Sequence, residues 1–515
     1  MFITVFGAFQ LGWEPKIYDA YARQTWLGMV RERLGKGPMT QLRPRENVLL
    51  REISALFSTR IIEAHAPGTY FALFGVEGIE GDGGFGHVRL GGALPNRDSA
   101  FRIASCTKSF TAATLLLLRD RGLLHLDAPI TDFVPSFQAD SHGSDAVTPT
   151  VRMLMTMSGG LATDDPWADR QESISRERLD GVLASAVQLA SVPGTRFGYA
   201  NLGYALLGRV IEVVTGRTYI DVVTEDLIQP LQLASTGFES TIVSPDRLTT
   251  GYRRRADAWV ELPFSEPGAF SPIGGIFSTG TDLACWARWL ASALQPDGAE
   301  PGPLSAASRR EMQQIQRAIP GGGEPGGSYG YGFGLFVQQD RHGGSTVFHS
   351  GGYPGFSAHM RWNSTAARGI VSFENATYSG TKKPAAAALD LAVADAGTPV
   401  VADAPWPDTR RLQERANNLV HDWDNALAEE IFAENAALDV HFDERATTIQ
   451  SEIDRVGGLR GGTAQEMTIA TGESPAHRVW FLPAARGLVR CEILVTPTVP
   501  AQIQTLLVTG EPDRD

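Results

Sequence analysis

Cysteine is scarce in this sequence, which has three, Cys106, Cys285 and Cys491, among 515 residues. They are far apart and odd in number, so their spacing predicts neither a disulfide framework nor a metal site. Cys106 lies inside the tetrapeptide SCTK, beside a candidate nucleophile, and this place favours a small buried residue over a reactive thiol. The cysteines therefore argue against a disulfide scaffold and against a cysteine-based metal centre.

The sequence also has few positive charges relative to negative ones and no long apolar runs. Lys and Arg total 45 against 58 Asp and Glu, which gives a formal net charge of -13. A nucleic-acid partner needs a basic face, so we expect none. No stretch reaches the roughly 18 uninterrupted apolar residues of a membrane span. The N-terminal segment MFITVFGAFQLGW lacks a basic start and a small-residue cleavage site, which predicts a cytoplasmic protein. A misassigned start codon would leave export as the alternative.

The length suggests two or three domains. Residues 1–45 form an irregular extension, and residues 46–396 carry the patterns of one large domain. Three prolines within residues 397–411 indicate a linker before a smaller domain at 412–515. We find no internal repeat and no glycine-rich phosphate loop.

The order of elements in the large domain predicts an α+β fold. A helix over 46–64 precedes two strands, and a mainly helical region spans Leu123 to Leu233. Further strands follow between Tyr329 and Asn375, and a helix closes the unit. We therefore expect an antiparallel sheet flanked by helices, with an all-helical subdomain and a small C-terminal α+β domain.

The stretch FRIASCTKSFTAATLLLL, residues 101–118, carries the strongest chemical signal. Read as a helix start, it stacks Ser105 and Lys108 on one face, one turn apart. A serine hydroxyl needs a neighbouring proton acceptor to become a good nucleophile. A lysine can serve when burial lowers its pKa. A second S-x-x-K copy, Ser379 to Lys382, is interpreted as chance, because Pro384 is expected to open the next helix and to leave both residues in a loop.

Two later tripeptides add candidate groups. Tyr199 and Asn201 lie in the only Y-x-N of the chain, on a loop before an amphipathic helix. A phenol beside a cationic lysine can ionise more easily than a free one, and Tyr199 is otherwise a half-buried packing residue. His349 ends a β-rich run and is favoured over His342, which lies on a hairpin turn; a structural histidine is the plain alternative.

In chain order, SCTK, YAN and HSG resemble the serine β-lactamase and penicillin-binding protein superfamily. The closer resemblance is to its class C-like branch, which also holds D-Ala-D-Ala carboxypeptidases, D-aminopeptidases and carboxylesterases. It covers about residues 46–395, and it is supported by the phrases RGLLHLDAPITDFVP, VRMLMTMSGGL, PGTRFGYANLGYALLGRVIE and GGIFSTGTDLACWARWLA.

The resemblance implies that Ser105 is the acylated nucleophile, that Lys108 accepts its proton and that Tyr199 acts as general base and acid. It implies a substrate-binding set made of Asn201, His349, Ser350 and Gly351, and an oxyanion hole made of the backbone N–H groups of Ser105 and Gly352. The reaction would proceed through an acyl-enzyme that water then cleaves, with no metal or organic cofactor.

One departure from the family pattern bears on the substrate. His349 stands where β-lactamases of this branch carry the lysine of K-T-G, and a histidine is only partly charged near neutral pH. We therefore expect a serine hydrolase of a small-molecule ester, amide or peptide, of the carboxylesterase or D-amino-acid peptidase type. The alternatives are a β-lactamase or DD-carboxypeptidase, and a catalytically silent binding or sensor protein. The sequence does not define an oligomeric state.

Two further segments also carry hypotheses. Residues 412–515 loosely resemble NTF2-like or cystatin-like folds, although related hydrolases often carry a small β-barrel here. We expect a structural appendage, with substrate gating or dimerisation as the alternative. Asp164, Asp165, Trp167 and Asp169 lie in one loop, which we expect to be a solvated acidic loop rather than the lining of a cleft entrance.

Overall fold

The computed structural model describes residues 46–140, 147–185, 187–295, 299–323, 327–340, 344–397, 405–460, 468–470, 472 and 474–513. The predicted N-terminal extension and His342 lie outside these ranges. The chain divides into two compact units, Met1–Thr398 and Pro399–Asp515, which are described separately. No helix within the described ranges has both the length and the apolar character needed to cross a membrane.

The first unit mixes helices and strands, as the sequence predicts. Its strands are β1 (Gly68–Gly75), β2 (Gly78–Gly86), β3 (Phe101–Arg102), β4 (Ala139–Asp140), β5 (Val187–Gln188), β6 (Tyr252–Arg255), β7 (Ala258–Glu261), β8 (Phe277–Ser278), β9 (Arg317–Ala318), β10 (Ser328–Tyr331), β11 (Phe336–Gln339), β12 (Ser345–Tyr353), β13 (Phe356–Asn363) and β14 (Arg368–Glu374). Its helices are α1 (Glu46–Ile62), α2 (Thr107–Asp120), α3 (Val151–Met155), α4 (Asp165–Ala168), α5 (Arg176–Ala184), α6 (Asn201–Thr215), α7 (Tyr219–Val223), α8 (Ser271–Gly274), α9 (Gly280–Ser292), α10 (Ala306–Met312) and α11 (Lys382–Ala396).

Eight strands form one antiparallel sheet in the order β2-β1-β14-β13-β12-β11-β10-β9. Side chains alternate between its faces, so β1 is buried on both. Phe71 and Leu73 pack with α1 and α11, while Tyr70, Ala72 and Phe74 join the larger core on the opposite face. The antiparallel sheet with helices on both faces confirms the predicted α+β class.

Helix α2 runs through the centre of the larger core. Its residues from Thr107 to Leu118 are buried, and it packs against α6, α8 and α10. Helix α9 begins after Thr279, whose hydroxyl accepts a hydrogen bond from the Asp282 N–H, as an N-cap should.

The helix that closes the first unit corrects one prediction. Pro384 does not open α11, because the helix begins at Lys382 and the proline is its third residue. A proline is tolerated there because the first turn has no use for its missing N–H. Ser379 still lies in the loop before the helix, so the second S-x-x-K pair is not stacked in a helical turn.

The second unit is a small α+β structure with its own core. Its elements are α12 (Pro407–His421), α13 (Asn425–Ile431), α14 (Ala436–Asp439), α15 (Phe442–Arg455) and an antiparallel sheet in the order β15 (Thr468–Ala470), β16 (His477–Ala484), β17 (Gly487–Val495) and β18 (Ile503–Pro512). Helices α12 and α13 are separate, since Asp424 caps the second one through the Ala426 N–H. Helix α12 also begins inside the predicted linker.

A buried ion pair fixes β3, the strand that leads to Ser105. Arg102 and Glu172 are each 1% exposed, and the Arg102 guanidinium donates to the Glu172 carboxylate. Arg102 also donates to the Ser265 carbonyl at 2.8 Å. The Tyr353 hydroxyl donates to the same carboxylate at 2.6 Å. Because both charges are buried, removal of either one would leave the other buried without a counter-charge.

Replacing one member of this pair should destabilise the first unit strongly. Arg102→Ala leaves the Glu172 carboxylate buried without its cation, so we expect the free energy of unfolding to fall by about 3–5 kcal/mol. Urea denaturation followed by circular dichroism measures it. The control is Arg254→Ala, because its side chain is 46% exposed and lies 3.8 Å from Asp257. This variant should lose less than about 1 kcal/mol. Equal, small losses in both variants would contradict the account.

Candidate active site

The turn before α2 presents Ser105. Ala104–Cys106 form a short 3-10 turn, and Ala104 adopts a φ of 50°, a left-handed conformation that is strained for a residue with a Cβ. Ser105 is 9% exposed, whereas Cys106 is fully buried, as expected. Burial raises the pKa of the Cys106 thiol to about 12, so the thiol stays protonated and unreactive.

Lys108 is joined to Ser105 by a direct hydrogen bond. Its Nζ donates to Ser105 Oγ at 3.0 Å and to the Ile273 carbonyl, in α8, at 2.8 Å. The side chain is fully buried. Removal of water lowers the pKa of Lys108 to about 8, although the carboxylates of Asp165, Asp169 and Asp164 oppose this change. A substantial fraction of the amine is therefore neutral in mildly alkaline solution.

Tyr199 lies over the same pair. The Lys108 Nζ is 5.1 Å from the centroid of the Tyr199 ring, and the nearby Ser105 side chain partly offsets the rise in the pKa of the Tyr199 phenol. Burial raises the pKa of Tyr199 well above its ordinary value, and nearby carboxylates add to this effect. The expectation of an easily ionised phenol is therefore wrong, because burial raises the pKa of the phenol. The phenol is a proton donor at rest.

The acidic loop is built into the site, which corrects the prediction of a solvated loop. Asp164 caps α6 by accepting from the N–H groups of Asn201 and Leu202 at 2.7 and 2.8 Å. Asn201 Nδ2 donates to Asp165 Oδ1 at 2.5 Å. Asp169 is 4% exposed and accepts a short hydrogen bond from the Tyr378 hydroxyl. Neighbouring carboxylates in a cleft are a feature of functional sites as well as of surfaces.

His349 lies on β12 and is neutral. It is 1% exposed, its Nδ1 donates to the Ser350 carbonyl at 2.7 Å, and its Nε2 accepts from the Tyr331 hydroxyl at 3.1 Å. Burial and the Lys108 charge lower the pKa of His349 to about 3. The expected partial charge near neutral pH is therefore wrong, because both ring nitrogens are committed in the neutral form.

The rest of β12 divides between the two faces of the sheet. A Cβ on Gly351 would lie 2.2 Å from the Ile103 carbonyl, so only glycine lets this strand pack on the Ser105 turn. Gly352 faces the ring of Tyr378 instead, whose Cδ1 would be 2.4 Å from such an atom. Ser350 Oγ hydrogen-bonds His359 Nδ1 at 2.9 Å, so the structure does not bring this hydroxyl to Lys108.

The sequence did not indicate three residues that contribute to the site. Tyr331 fixes the tautomer of His349, and Ile273 supplies the carbonyl under Lys108. Tyr378 donates a short hydrogen bond to Asp169, 209 residues away in the chain. No local pattern marks any of them, and only the acidic loop could have drawn attention to Asp169. Within the described residues, no group of three or more His, Cys, Asp or Glu side chains is placed to hold a metal ion.

The sequence is similar to those of several known proteins. A sequence profile of the family described as Beta-lactamase matches residues 53–395. Protein flp of Staphylococcus aureus (strain COL) is 26% identical over 333 residues, 63% of this chain and 63% of that protein. Penicillin-binding protein 4 of Amycolatopsis lactamdurans is 30% identical over 272 residues, 49% of this chain and 66% of that protein. The chain thus spans less than two thirds of the length of these curated relatives.

Solved structures show the same fold at low identity. The octameric penicillin-binding protein homologue from Pyrococcus abyssi has a TM-score of 0.58 and 19% identity, covering 90% of this chain and 98% of that one. A D-stereospecific amidohydrolase from Streptomyces sp. has a TM-score of 0.55 and 23% identity, covering 67% and 98%. Since the family profile spans well over half of the sequence, this chain belongs to the beta-lactamase family.

Proposed function

We propose that this protein is a serine hydrolase that cleaves an ester or amide through an acyl-enzyme on Ser105. The observation that carries the proposal is the 3.0 Å hydrogen bond between Lys108 Nζ and Ser105 Oγ, in which the amine is fully buried and the serine is 9% exposed. The family includes hydrolases of several kinds, and solved neighbours carry the titles of an amidohydrolase, a hydrolase named EstCE1 and a class C beta-lactamase.

In the acylation step, neutral Lys108 accepts the Ser105 proton while Oγ attacks the substrate carbonyl. The negative charge that develops on the carbonyl oxygen is stabilised by the backbone N–H groups of Ser105 and Gly352. Donors of this kind lower a barrier by about 3 kcal/mol each. The Lys108 pKa of about 8 matches this role, because an amine with an ordinary pKa would hold its proton.

Tyr199 completes the proton path. Its protonated phenol, close to Ser105, delivers a proton to the leaving group as the tetrahedral intermediate collapses. Lys108 then returns a proton to the phenol. In the second half-reaction, water attacks the acyl group, the same groups move the proton in reverse, and Ser105 is released.

The neutral state of His349 favours substrates without a carboxylate at that position. A β-lactam or a D-Ala-D-Ala peptide would find no permanent cation on β12, so we rank the esterase or D-amino-acid peptidase activity first. The β-lactamase or DD-carboxypeptidase activity is the second candidate, supported by the family profile and by the likeness to penicillin-binding protein 4. A silent binding protein is disfavoured by the intact Ser-Lys-Tyr set.

Removing the nucleophile tests the proposal directly. Ser105→Ala should lower kcat/KM for p-nitrophenyl butyrate roughly a thousandfold or more and should abolish labelling by a fluorophosphonate. The matched control is Ser379→Ala, since Ser379 belongs to the other S-x-x-K copy and its hydroxyl has no hydrogen-bond partner among the described side chains. Retained turnover in the Ser105 variant, or equal loss in the control, would reject the assignment.

The pH dependence of kcat/KM tests whether Lys108 is the proton acceptor. Since only neutral Lys108 accepts the proton, kcat/KM for an ester should rise with pH through about 8 and then level off. Lys108→Arg should lose this rising limb together with most of the activity, because a guanidinium stays protonated. If kcat/KM of the wild type did not change with pH through this range, Lys108 would not be the proton acceptor.

The neutral histidine predicts a substrate ranking. A hydrogen bond to a charged group contributes about 1.5–3 kcal/mol, so without a cation on β12 kcat/KM for nitrocefin loses at least about a factor of ten, and we expect it to lie below kcat/KM for p-nitrophenyl butyrate. Steady-state assays on the same preparation give the ratio. Nitrocefin turnover faster than ester turnover would reverse the ranking and favour the second candidate.

A further inference from the structure

Aromatic side chains gather around Tyr199 at the edge of the site. Four half-buried rings from two distant stretches of the chain form what we call the aromatic wall: Phe197, Tyr199, Tyr329 and Phe336. The ring of Phe336 is central. Its centroid lies 6.4 Å from that of Tyr199, with an angle of 7° between the two rings. The corresponding distances to Phe197 and Tyr329 are 6.2 and 6.0 Å. The proposed mechanism gives a role to the Tyr199 phenol but none to the other three rings.

The fold holds Phe336 close to α2. Phe336 is the first residue of β11 and follows a turn in which Gly334 adopts a φ of 71°. A Cβ on Gly334 would lie 2.6 Å from the Lys108 carbonyl oxygen, so only glycine lets this turn pack on α2. On its other side, Phe336 pairs with Phe348, the residue before His349 on β12. The backbone of Phe336 is thus fixed between the helix that carries Lys108 and the strand that carries His349.

The half-buried rings rest on buried ones. The Phe336 ring stacks on the Phe348 ring with centroids 5.4 Å apart, and it meets the Tyr331 ring edge-on at 4.7 Å and 86°. Phe348 and Tyr331 are 4% and 0% exposed. Rings in stacked and edge-to-face contact offer the same two geometries to a further ring. Half-buried rings beside a reacting centre therefore favour a flat apolar group over water.

The proposed mechanism decides which part of a substrate meets this wall. The carbonyl oxygen of the substrate is bound by the N–H groups of Ser105 and Gly352, and Gly352 faces the ring of Tyr378 instead of the wall. The Tyr199 phenol delivers its proton to the leaving group, so the leaving oxygen or nitrogen has to approach Tyr199. The group attached to that atom is then the part of the substrate nearest to Phe336, because the Phe336 and Tyr199 rings are neighbours.

We propose that the aromatic wall binds the leaving group of the substrate and that this group carries an aromatic ring. In the acylation step the bond between Ser105 Oγ and the acyl carbon forms and the bond from that carbon to the leaving oxygen or nitrogen breaks. The Tyr199 proton leaves with the aromatic alcohol or amine. The inference rests on the proposed hydrolase function and narrows its substrates to esters or amides with an aromatic leaving group.

A simpler packing role for Phe336 makes a different prediction. If its ring only held the Tyr199 phenol in place, loss of the ring would lower kcat/KM of every ester by the same factor. If the ring binds the leaving group, its loss lowers kcat/KM more for an ester of an aromatic alcohol than for an ester of the matching saturated alcohol. Substrate pairs that differ only in the saturation of one ring separate the two roles.

The experiment uses two such ester pairs. Benzyl acetate against cyclohexylmethyl acetate changes the ring in the leaving group, and methyl phenylacetate against methyl cyclohexylacetate changes it in the acyl part. Each kcat/KM is divided by the rate constant for hydroxide hydrolysis of the same ester, which removes differences in intrinsic reactivity. We expect the normalised kcat/KM to favour benzyl acetate by about fivefold and methyl phenylacetate by less than about twofold.

Substitutions at Phe336 test whether the wall causes this preference. Phe336→Leu should reduce the preference for benzyl acetate to less than about twofold, because leucine offers no ring to stack on. Phe336→Tyr keeps the ring and should keep the preference. The matched control is Phe85→Leu, since Phe85 is also half-buried but lies on β2, against the core that includes Phe71 and Leu73. This control should keep the wild-type preference.

The outcomes distinguish this inference from the proposed function. Equal normalised kcat/KM for the two acetates in the wild type, or a preference confined to the acyl pair, overturns the leaving-group assignment and leaves the hydrolase intact. An equal loss for both acetates in Phe336→Leu does the same. If no ester acylates Ser105, the proposed function fails and this inference fails with it. If Phe336→Leu does not fold, Phe197→Leu, a change in the loop before α6, takes its place with the same expected result.

Discussion

The chemistry of this protein depends on one amine kept away from water. Lys108 is fully buried, and an ammonium in that position loses its hydration. Hydrogen bonds to Ser105 and to the Ile273 carbonyl, with carboxylates nearby, offset part of this cost. The balance leaves the amine close to deprotonation near pH 8, which is the state a proton acceptor needs.

The surrounding elements hold this amine and its serine in place from three sides. Strand β3 leads into the Ser105 turn and is anchored by the buried Arg102–Glu172 pair. Strand β12 lies against the turn at Gly351, where a side chain would collide with the Ile103 carbonyl. Helix α6 begins with its capping carboxylate beside Lys108. A site assembled from rigid elements keeps donor and acceptor aligned without reorganisation during the reaction.

The sequence was informative where function depends on local spacing. The Ser105–Lys108 contact follows from helical geometry, and the α+β class follows from the order of strands and helices. Protonation states could not be read in the same way, because they depend on burial. His349 is neutral because it is buried beside Lys108, and Tyr331, 18 residues away, donates to its Nε2. Tyr199 is a protonated phenol because it is buried. Asp169 meets Tyr378 across 209 residues, a contact that only the folded chain creates.

The proposed mechanism requires Ser105 to become covalently acylated during turnover. Acid quenching of the protein during hydrolysis of p-nitrophenyl butyrate, followed by peptide mass spectrometry, measures this directly. We expect one butyryl group per chain, located on Ser105. Ester hydrolysis with no acyl group on Ser105, or with the acyl group on another residue, would contradict it.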